Sequence, residues 1–301
     1  MEDGMWLSLM IGNSRLHWAL LQRENVLEVW DTTHLRKEGS AVSGLAGAGI
    51  PSCFISAKAR DILRGDKANG IFETTGDGAH LAGDENGVLV LADARRFRVA
   101  SVVPKELETW LRCCPDIGPI SSGDAINGVE EYPTLGVDRA LAVRGAARLR
   151  GWPVMVVDCG SAMTFTAGDE RGKLAGGAIL PGVRLQLAAL GTSTAQLPCG
   201  IVLPAELPPR WAMGTSGGIQ AGVMWTIVAG IQSFIKDRWK IDPAASVVFT
   251  GGDGEVLHRA VLDSWDAEES DLATIRERVT FVGDVIHWGM ASLMLGTEAP
   301  Y

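Results

Sequence analysis

The chain has 301 residues, of which 47% are hydrophobic and 21% charged, so it can form two domains or one large domain with an ample core. It carries 27 basic and 36 acidic residues, a net charge of −9. This balance excludes a general nucleic-acid binder, which needs a basic face, but it leaves open a local basic site for one small anion.

The five cysteines are odd in number and show no CxxC or Cys/His ligand spacing, which favours reduced thiols over disulfides or structural zinc. We expect no signal peptide, because Gly12, Asn13 and Arg15 soon break the first apolar run. We also expect no membrane span, since the most apolar segment, 219–235, is interrupted by glycines and predicts a buried amphipathic helix. A cytoplasmic protein is predicted.

The first half of the chain predicts a strand hairpin followed by further strands and a helix. The hairpin joins a buried strand at 6–11 to a partner at 16–21 through the Gly-Asn-Ser-Arg turn at 12–15. The other predicted elements are strands at 49–56 and 98–104, loops around 74–87 and a helix at 105–113.

The second half repeats this pattern. A helix is predicted from Asp138 to Gly151, after a loop that contains proline and glycine. A strand at 154–157, the Asp-Cys-Gly-Ser-Ala turn at 158–162 and a strand at 163–167 then resemble the first hairpin, which indicates two copies of one architecture. The remaining predicted elements are strands at 174–179 and 247–249 and a helix at 283–295.

Three glycine-containing turns follow apolar strands, at 12–15, 158–162 and 250–254. Glycine lets backbone N–H groups approach an anion closely, and serine or threonine hydroxyls add donors. Each turn alone is more typical of a plain hairpin than of a phosphate site. The order of all three on one chain favours a nucleotide site, in which two facing turns hold the phosphates and the third passes under the adenosine.

These motifs resemble those of the type III pantothenate kinases, members of the actin and sugar-kinase superfamily. The combination of LGVDR, DCGSA and GGAILPG is more specific than any single motif. The matching segments are GNSRLHWAL (12–20), SVVP (101–104), YPTLGVDRALA (132–142), VVDCGSAMTF (156–165), GGAILPG (176–182), TAQLP (194–198), GTSGGIQAG (214–222) and TGGDG (250–254).

The resemblance implies an α/β protein with two ribonuclease-H-like domains, an actin-like ATPase fold with its active site in the interdomain cleft. We predict domains at 1–150 and 151–301, with the last helix packing back on the first domain. The implied reaction is ATP-dependent phosphorylation of pantothenate to 4'-phosphopantothenate, the first step of coenzyme A biosynthesis. Mg²⁺, a monovalent cation (K⁺ or NH₄⁺) and a homodimer are also implied, with no nucleic-acid or membrane partner.

The resemblance also assigns roles to individual residues. Asp138 matches the catalytic base, and Asp158 matches the ligand of the monovalent cation. Local sequence alone favours Asp138 as a helix N-cap over a catalytic base, and only the whole motif reverses this preference. It also allows Thr215 as a helix N-cap, Asp158 as a turn cap and Arg139 as a surface arginine. The implied pantothenate contacts are Tyr132, Gly136, Val137, Arg139 and Thr215, and the implied ATP contacts are Gly12, Asn13, Ser14, Arg15, His17, Ser161, Gly251 and Gly252.

The first phosphate motif departs from the family pattern, Asp-x-Gly-Asn-Thr with a following lysine. Met10 stands at the position of the aspartate and His17 at that of the lysine. One interpretation is an active kinase whose metal is held mainly by ATP oxygens and water. A second is a catalytically weak homologue that binds a nucleotide or ligand in a regulatory role, and a third is an interaction protein that exposes some of the ten tryptophans.

Overall fold

The chain forms two compact units in a computed structural model. The first unit contains the described residues of 1–125, 132–141 and 286–298, and the second those of 126–131 and 142–285. The domain boundary expected between 150 and 151 stays a prediction. The described residues are 5–34, 50–51, 54–65, 72–73, 88–91, 97–115, 117–194, 196–266 and 269–294.

The first unit is built on a four-stranded sheet of order β3-β2-β1-β7, beside a small sheet of order β4-β6-β5. Strands β1, β2 and β3 form an antiparallel meander, and β7 runs parallel to β1. The strands are β1 (Met5–Ile11), β2 (Leu16–Gln22), β3 (Asn25–Thr32), β4 (Ile50–Pro51), β5 (Phe72–Glu73), β6 (Val88–Leu91) and β7 (Phe97–Ser101).

The second unit is built on a five-stranded sheet of order β10-β9-β8-β11-β12. Again the first three strands form an antiparallel meander, and the later strand β11 runs parallel to the first. The prediction of two copies of one ribonuclease-H-like architecture is therefore confirmed. The strands are β8 (Val154–Cys159), β9 (Ala162–Gly168), β10 (Leu174–Pro181), β11 (Ser246–Thr250) and β12 (Val279–Phe281).

Helices cover these sheets. The order of strands and helices confirms the predicted α/β class. The described helices are α1 (Ala57–Gly65), α2 (Pro104–Cys113), α3 (Ser122–Ala125), a 3₁₀ turn (Val129–Glu131), α4 (Val137–Arg150), α5 (Val183–Ser193), α6 (Thr215–Ile241), α7 (Gly254–Asp263), α8 (Glu269–Arg278) and α9 (Val285–Met294).

The first sheet buries side chains on both faces, because every residue of β1 is buried. Alternate residues point to opposite faces of a strand. Leu7 and Leu9 belong to a core with Trp18 and with Trp110 of α2. On the opposite face Ser8 contacts His287 of α9, whose Nδ1 lies 2.5 Å from the serine Oγ. The C-terminal helix is therefore part of the first unit.

Helix α6 contains the segment 219–235, which the sequence predicted as a buried helix. By length and apolar composition it is able to cross a membrane, although the sequence predicted no such segment. Its Met224, Ile231 and Ile235 are at most 1% exposed and pack in the core of the second unit. The same test is met by core helices, and the packing of α6 identifies it as one.

Most predicted elements are present, with shifted ends. The strand predicted at 98–104 ends at Ser101, because Pro104 begins α2, a position that proline favours. Of the strand predicted at 49–56, only Ile50–Pro51 is confirmed, since the described residues 54–56 are not in a strand. The loops predicted around 74–87 lie outside the described residues. Of the cysteines that the structure describes, Cys159 and Cys199 are free thiols, which agrees with the expectation of reduced cysteines.

Candidate functional site

The first glycine turn joins β1 to β2 at the end of the hairpin. The Gly12 N–H donates to the Arg15 carbonyl oxygen at 3.0 Å and closes the turn. Asn13, Ser14 and Arg15 are exposed at its tip, and His17 follows on β2. The structure thus brings together the five predicted phosphate contacts of the first unit.

Met10, which stands where the family motif has an aspartate, is 1% exposed. It lies opposite His17 in the β1–β2 register, and His17 lies opposite Asp31 in the β2–β3 register. The His17 Nδ1 is 2.7 Å from the Asp31 Oδ1. This hydrogen bond lowers the pKa of Asp31, and the charges of His17 and Arg15 act in the same direction. Asp31 was not a predicted site residue, because β3 was not predicted.

The loop before α4 is held by local hydrogen bonds. The Leu135 N–H donates to the Tyr132 carbonyl oxygen at 3.0 Å, and the Ser122 hydroxyl donates to the Leu135 carbonyl oxygen at 2.7 Å. Gly136 follows, and a Cβ there would collide with the Asp138 Oδ1. The missing side chain at Gly136 therefore leaves the space that this carboxylate occupies.

Asp138 lies in the first turn of α4, which begins at Val137, so Asp138 is not the N-cap. Its Oδ1 accepts the Arg139 N–H at 2.8 Å. Burial raises the pKa of Asp138, while the hydrogen bond from the Arg139 backbone and the charge of Arg139 oppose this shift. A partly desolvated carboxylate at a helix N-terminus is well suited to accept a proton.

Arg139 is 6% exposed, which contradicts the interpretation as a surface arginine. Its Nη1 donates to the Tyr132 hydroxyl at 3.2 Å, and its Cζ lies 5.5 Å from the centroid of the tyrosine ring. The structure thus joins Tyr132, Asp138 and Arg139 in one short segment, with Gly136 and Val137 between them.

This segment lies beside the first glycine turn. A Cβ on Gly136 would be 3.6 Å from the Val102 Cγ1, and the Val102 N–H donates to the carbonyl oxygen of Ile11 at 3.0 Å. Ile11 is the residue before Gly12. The chain after β7 therefore brings the start of α4 next to the end of β1, within the first unit.

In the second unit, the third glycine turn packs against the second. Gly251 has a left-handed φ of 86°, and a Cβ there would lie 2.5 Å from the Asp158 Oδ1 and 2.8 Å from the Cys159 carbonyl oxygen. The Asp253 N–H donates to the same carbonyl at 3.0 Å. Only glycine fits this approach, so the structure brings Asp158 and Gly251 together, with Gly252 following.

Ser161 lies at the tip of the second turn, where its carbonyl oxygen accepts the Gly182 N–H at 2.9 Å. Two further polar residues near these turns were not predicted. Asp253 is 4% exposed, and its Oδ1 accepts a hydrogen bond from the Nε of Arg184 at 2.8 Å. The TGGDG motif contained the signal for Asp253, but no motif indicated that Arg184, 69 residues away, is its partner.

Cys159 ends β8, and Thr215 begins α6. Burial raises the pKa of the Cys159 thiol well above its ordinary value, which agrees with a small core residue rather than a nucleophile. Thr215 is the first residue of α6 and is exposed, while Gly214 is the N-cap. Its N-cap interpretation is therefore wrong. Among the described residues, no hydrogen bond joins Thr215 to the other predicted site residues.

Comparison with known proteins identifies the family. The family model for type III pantothenate kinase matches residues 72–237, which include Asp138, Asp158 and Thr215. A type III pantothenate kinase from Nostoc sp. is 36% identical over 98% of this chain and 96% of its own length. The chain belongs to the type III pantothenate kinase family.

Other relatives of the family agree. A type III pantothenate kinase from Synechocystis sp. is 36% identical over 84% of this chain and 79% of its own length. Among solved structures, a Baf family protein from Campylobacter jejuni has a TM-score of 0.52 and 16% identity, covering 96% of this chain and 98% of its own. This likeness supports the fold alone.

Proposed function

We propose that this kinase transfers the γ-phosphoryl group of ATP to the primary hydroxyl of pantothenate, forming 4'-phosphopantothenate in the first step of coenzyme A biosynthesis. The observation that carries the proposal is the Asp138 carboxylate, partly buried at the start of α4 beside the Gly12 turn. Family membership over nearly the whole chain supports the substrate pair.

Asp138 acts in this proposal as the base that accepts the proton of the pantothenate hydroxyl. Phosphoryl transfer depends mainly on positioning and charge stabilisation, so one oriented carboxylate suffices as the base. Arg139, with its guanidinium oriented by Tyr132, binds the pantothenate carboxylate, because arginine holds carboxylates through two parallel hydrogen bonds. The backbone at Gly136 and Val137 lines the same segment, and Thr215 contributes a hydroxyl.

The nucleotide contacts belong to three turns. Gly12, Asn13, Ser14, Arg15 and His17 are proposed to bind phosphate oxygens. In the second unit, Ser161 contacts phosphate, and Gly251 and Gly252 contact the adenosine.

Magnesium and a monovalent cation fit different parts of the chain. Among the described residues there is no group of three His, Cys, Asp or Glu side chains that could hold a metal. Mg²⁺ is therefore proposed to enter with ATP, held by phosphate oxygens and water. The Asp158 carboxylate lies near the Cys159 carbonyl oxygen at Gly251, and such oxygens suit K⁺ or NH₄⁺. A bound cation would offset the phosphate charge.

A cytoplasmic homodimer is the proposed form of the enzyme. Large apolar side chains of the second unit are exposed, including Leu185 on α5, Phe234 on α6 and Trp211 before α6. Exposed apolar side chains of this size are candidates for contacts with a partner copy. Thr215 follows Trp211 closely in the chain, so a partner copy that contacts Trp211 would lie near that hydroxyl. Analytical ultracentrifugation measures the oligomeric state directly.

The test is ADP release from purified protein with ATP and pantothenate, with and without K⁺. We expect Asp138→Asn to lower kcat by about a hundredfold to ten thousandfold, the usual contribution of a general base, while ADP affinity changes little. The matched control is Glu130→Gln, which alters an exposed carboxylate shortly before the same loop. Full activity of Asp138→Asn would remove this residue from the mechanism.

The pH profile gives a second readout. A base must be ionised, so the rate rises with pH through the pKa of Asp138. Since burial raises that pKa, the acid limb lies at higher pH than for an exposed carboxyl group. Nucleotide binding without any turnover would favour the regulatory homologue, and binding of neither substrate would favour an interaction protein.

A further inference from the structure

The His17 ring lies in a row of side chains that crosses the first sheet. Residues directly opposite each other on neighbouring strands project from the same face. The registers place Asp31 opposite His17 and His17 opposite Met10. The row changes from exposed to buried along its length, because the Asp31 side chain is 41% exposed and Met10 is 1% exposed.

The two nitrogens of the His17 ring face different partners. Nδ1 lies 2.7 Å from the Asp31 carboxylate, which as an anion can only accept, so Nδ1 carries the proton. Nε2 lies over the first turn, where it would be 3.2 Å from a Cβ built on Gly12. Among the described residues Nε2 has no hydrogen-bond partner, and the side chain is 45% exposed.

We propose that Asp31 is a positioning residue of the kinase, which holds the His17 ring with Nε2 directed at the Gly12 turn, so that the imidazolium form of the ring donates Nε2–H to a nucleotide phosphate oxygen. The hydrogen bond from Nδ1 to Asp31 restrains the rotation of the ring, so a carboxylate on the neighbouring strand sets the direction of Nε2. The ring thereby places a donor at the turn. This inference rests on the proposed function only for the identity of the nucleotide.

The other neighbours of the pair of His17 and Asp31 include Arg15, His287 and Met10. Arg15, at the end of the turn, lies 3.5 Å from the second oxygen of Asp31 and shares that carboxylate. His287 of α9 interacts electrostatically with His17, and burial lowers the pKa of His287 to about 3, so it stays neutral. Met10 contributes no charge. The carboxylate of Asp31 is therefore the anion that His17 and Arg15 share.

The histidine is tested with two substitutions that separate its nitrogens. Asparagine places an amide near the Nδ1 position and can still donate to Asp31, while glutamine reaches the Nε2 position. We expect His17→Asn to weaken ADP binding by about tenfold, the worth of one charge-assisted hydrogen bond, and His17→Gln to weaken it less. Isothermal titration calorimetry with ADP and Mg²⁺ measures both. Equal binding by both variants and the original protein would overturn the proposal.

The role of Asp31 is tested through the same assay. Asp31→Asn keeps a hydrogen-bond acceptor but removes the charge that orients the His17 ring, so we expect about threefold weaker ADP binding. In the His17→Asn background the substitution should have no further effect. An unchanged affinity of the single variant, or an additive loss in the double variant, would contradict a role through His17.

A matched control lies on the same strand. Glu28 of β3 forms an ion pair with Lys58 and lies opposite Leu20, a residue of the core face. Glu28→Gln should therefore leave ADP affinity unchanged. The binding assay needs no pantothenate, so this inference and the proposed reaction can fail separately: absent phosphorylation with the expected binding pattern refutes only the reaction. Absence of ADP binding to the original protein would overturn the inference itself.

Discussion

The two sheets carry a carboxylate on different strands at equivalent positions beside their glycine turns. In each sheet, a row of directly opposite residues crosses four strands, from the third strand of the meander to the strand that runs parallel to the first. The first row is Asp31, His17, Met10 and Ala100, and the second row is Ile179, Thr164, Asp158 and Thr250.

In the second row the carboxylate is on the central strand, and the edge residue Ile179 is 59% exposed. In the first row the centre is the buried Met10 and the carboxylate is on the third strand, two strand spacings or about 10 Å away. A carboxylate at the centre needs a cation or close donors, whereas one at the edge shares its charge with solvent. The same architecture thus supports two distributions of charge around a glycine turn.

The largest expected effect concerns the backbone packed against the second row. Gly251→Ala places a Cβ 2.5 Å from the Asp158 Oδ1 at a left-handed φ, so we expect a loss of about 3 kcal/mol in the free energy of unfolding. Urea denaturation measures it. The control is Gly252→Ala, where a Cβ has no atom within 4 Å, and the change should stay below about 1 kcal/mol. If Gly251→Ala and Gly252→Ala lowered the free energy of unfolding equally, the space between Gly251 and Asp158 would accommodate a Cβ.

An intermediate effect is expected when the first row is made like the second. Met10→Asp buries a carboxylate at a site that is 1% exposed, with His17 opposite as its nearest partner. We expect a loss of about 2 kcal/mol in the free energy of unfolding, because the desolvation is only partly compensated. Met10→Leu is the control and should cost less than about 1.5 kcal/mol. A variant Met10→Asp as stable as Met10→Leu would show that the first row accepts a central carboxylate.

The smallest effect is expected at the second carboxylate near the second row. Asp253 is 4% exposed and accepts a hydrogen bond from Arg184, so Arg184→Gln should lower the free energy of unfolding by about 1 kcal/mol. Arg259→Gln, which breaks an exposed pair with Glu255, should cost less than about 0.5 kcal/mol. Thermal denaturation of both variants compares them. If Arg259→Gln lowered the free energy of unfolding more than Arg184→Gln, the hydrogen bond from Arg184 would not be what stabilises the buried Asp253 carboxylate.

The fold was predictable where apolar runs end in glycine turns. The hairpin of β1 and β2 and the hairpin of β8 and β9 were both predicted for this reason. Strand β3 was missed because its residues are half-buried or exposed and show no apolar alternation. The strand predicted at 49–56 was too long for the opposite reason. The segment is apolar enough for a strand, but only Ile50–Pro51 is paired among its described residues.

The site was predictable only as separate pieces. Motifs located Asp138, Asp158 and Gly251, because their chemistry is local to a turn or a helix start. The partners Asp31 and Arg184 depend on strand register and on contacts between distant segments, which no single motif contains. The same limit explains why a missing aspartate at position 10 was visible while a neighbouring carboxylate two strands away was not.

The position of α9 has a consequence for how the chain folds while it is being translated. Residues of the first unit come from both ends of the chain, and the Ser8–His287 contact spans 279 positions, whereas most of the second unit is one continuous segment. During translation the N-terminal sheet therefore emerges first but keeps one apolar face uncovered until the last helix has left the ribosome. The order of completion is then the reverse of the order of synthesis, and the N-terminal sheet exposes that apolar face while the second unit is being made.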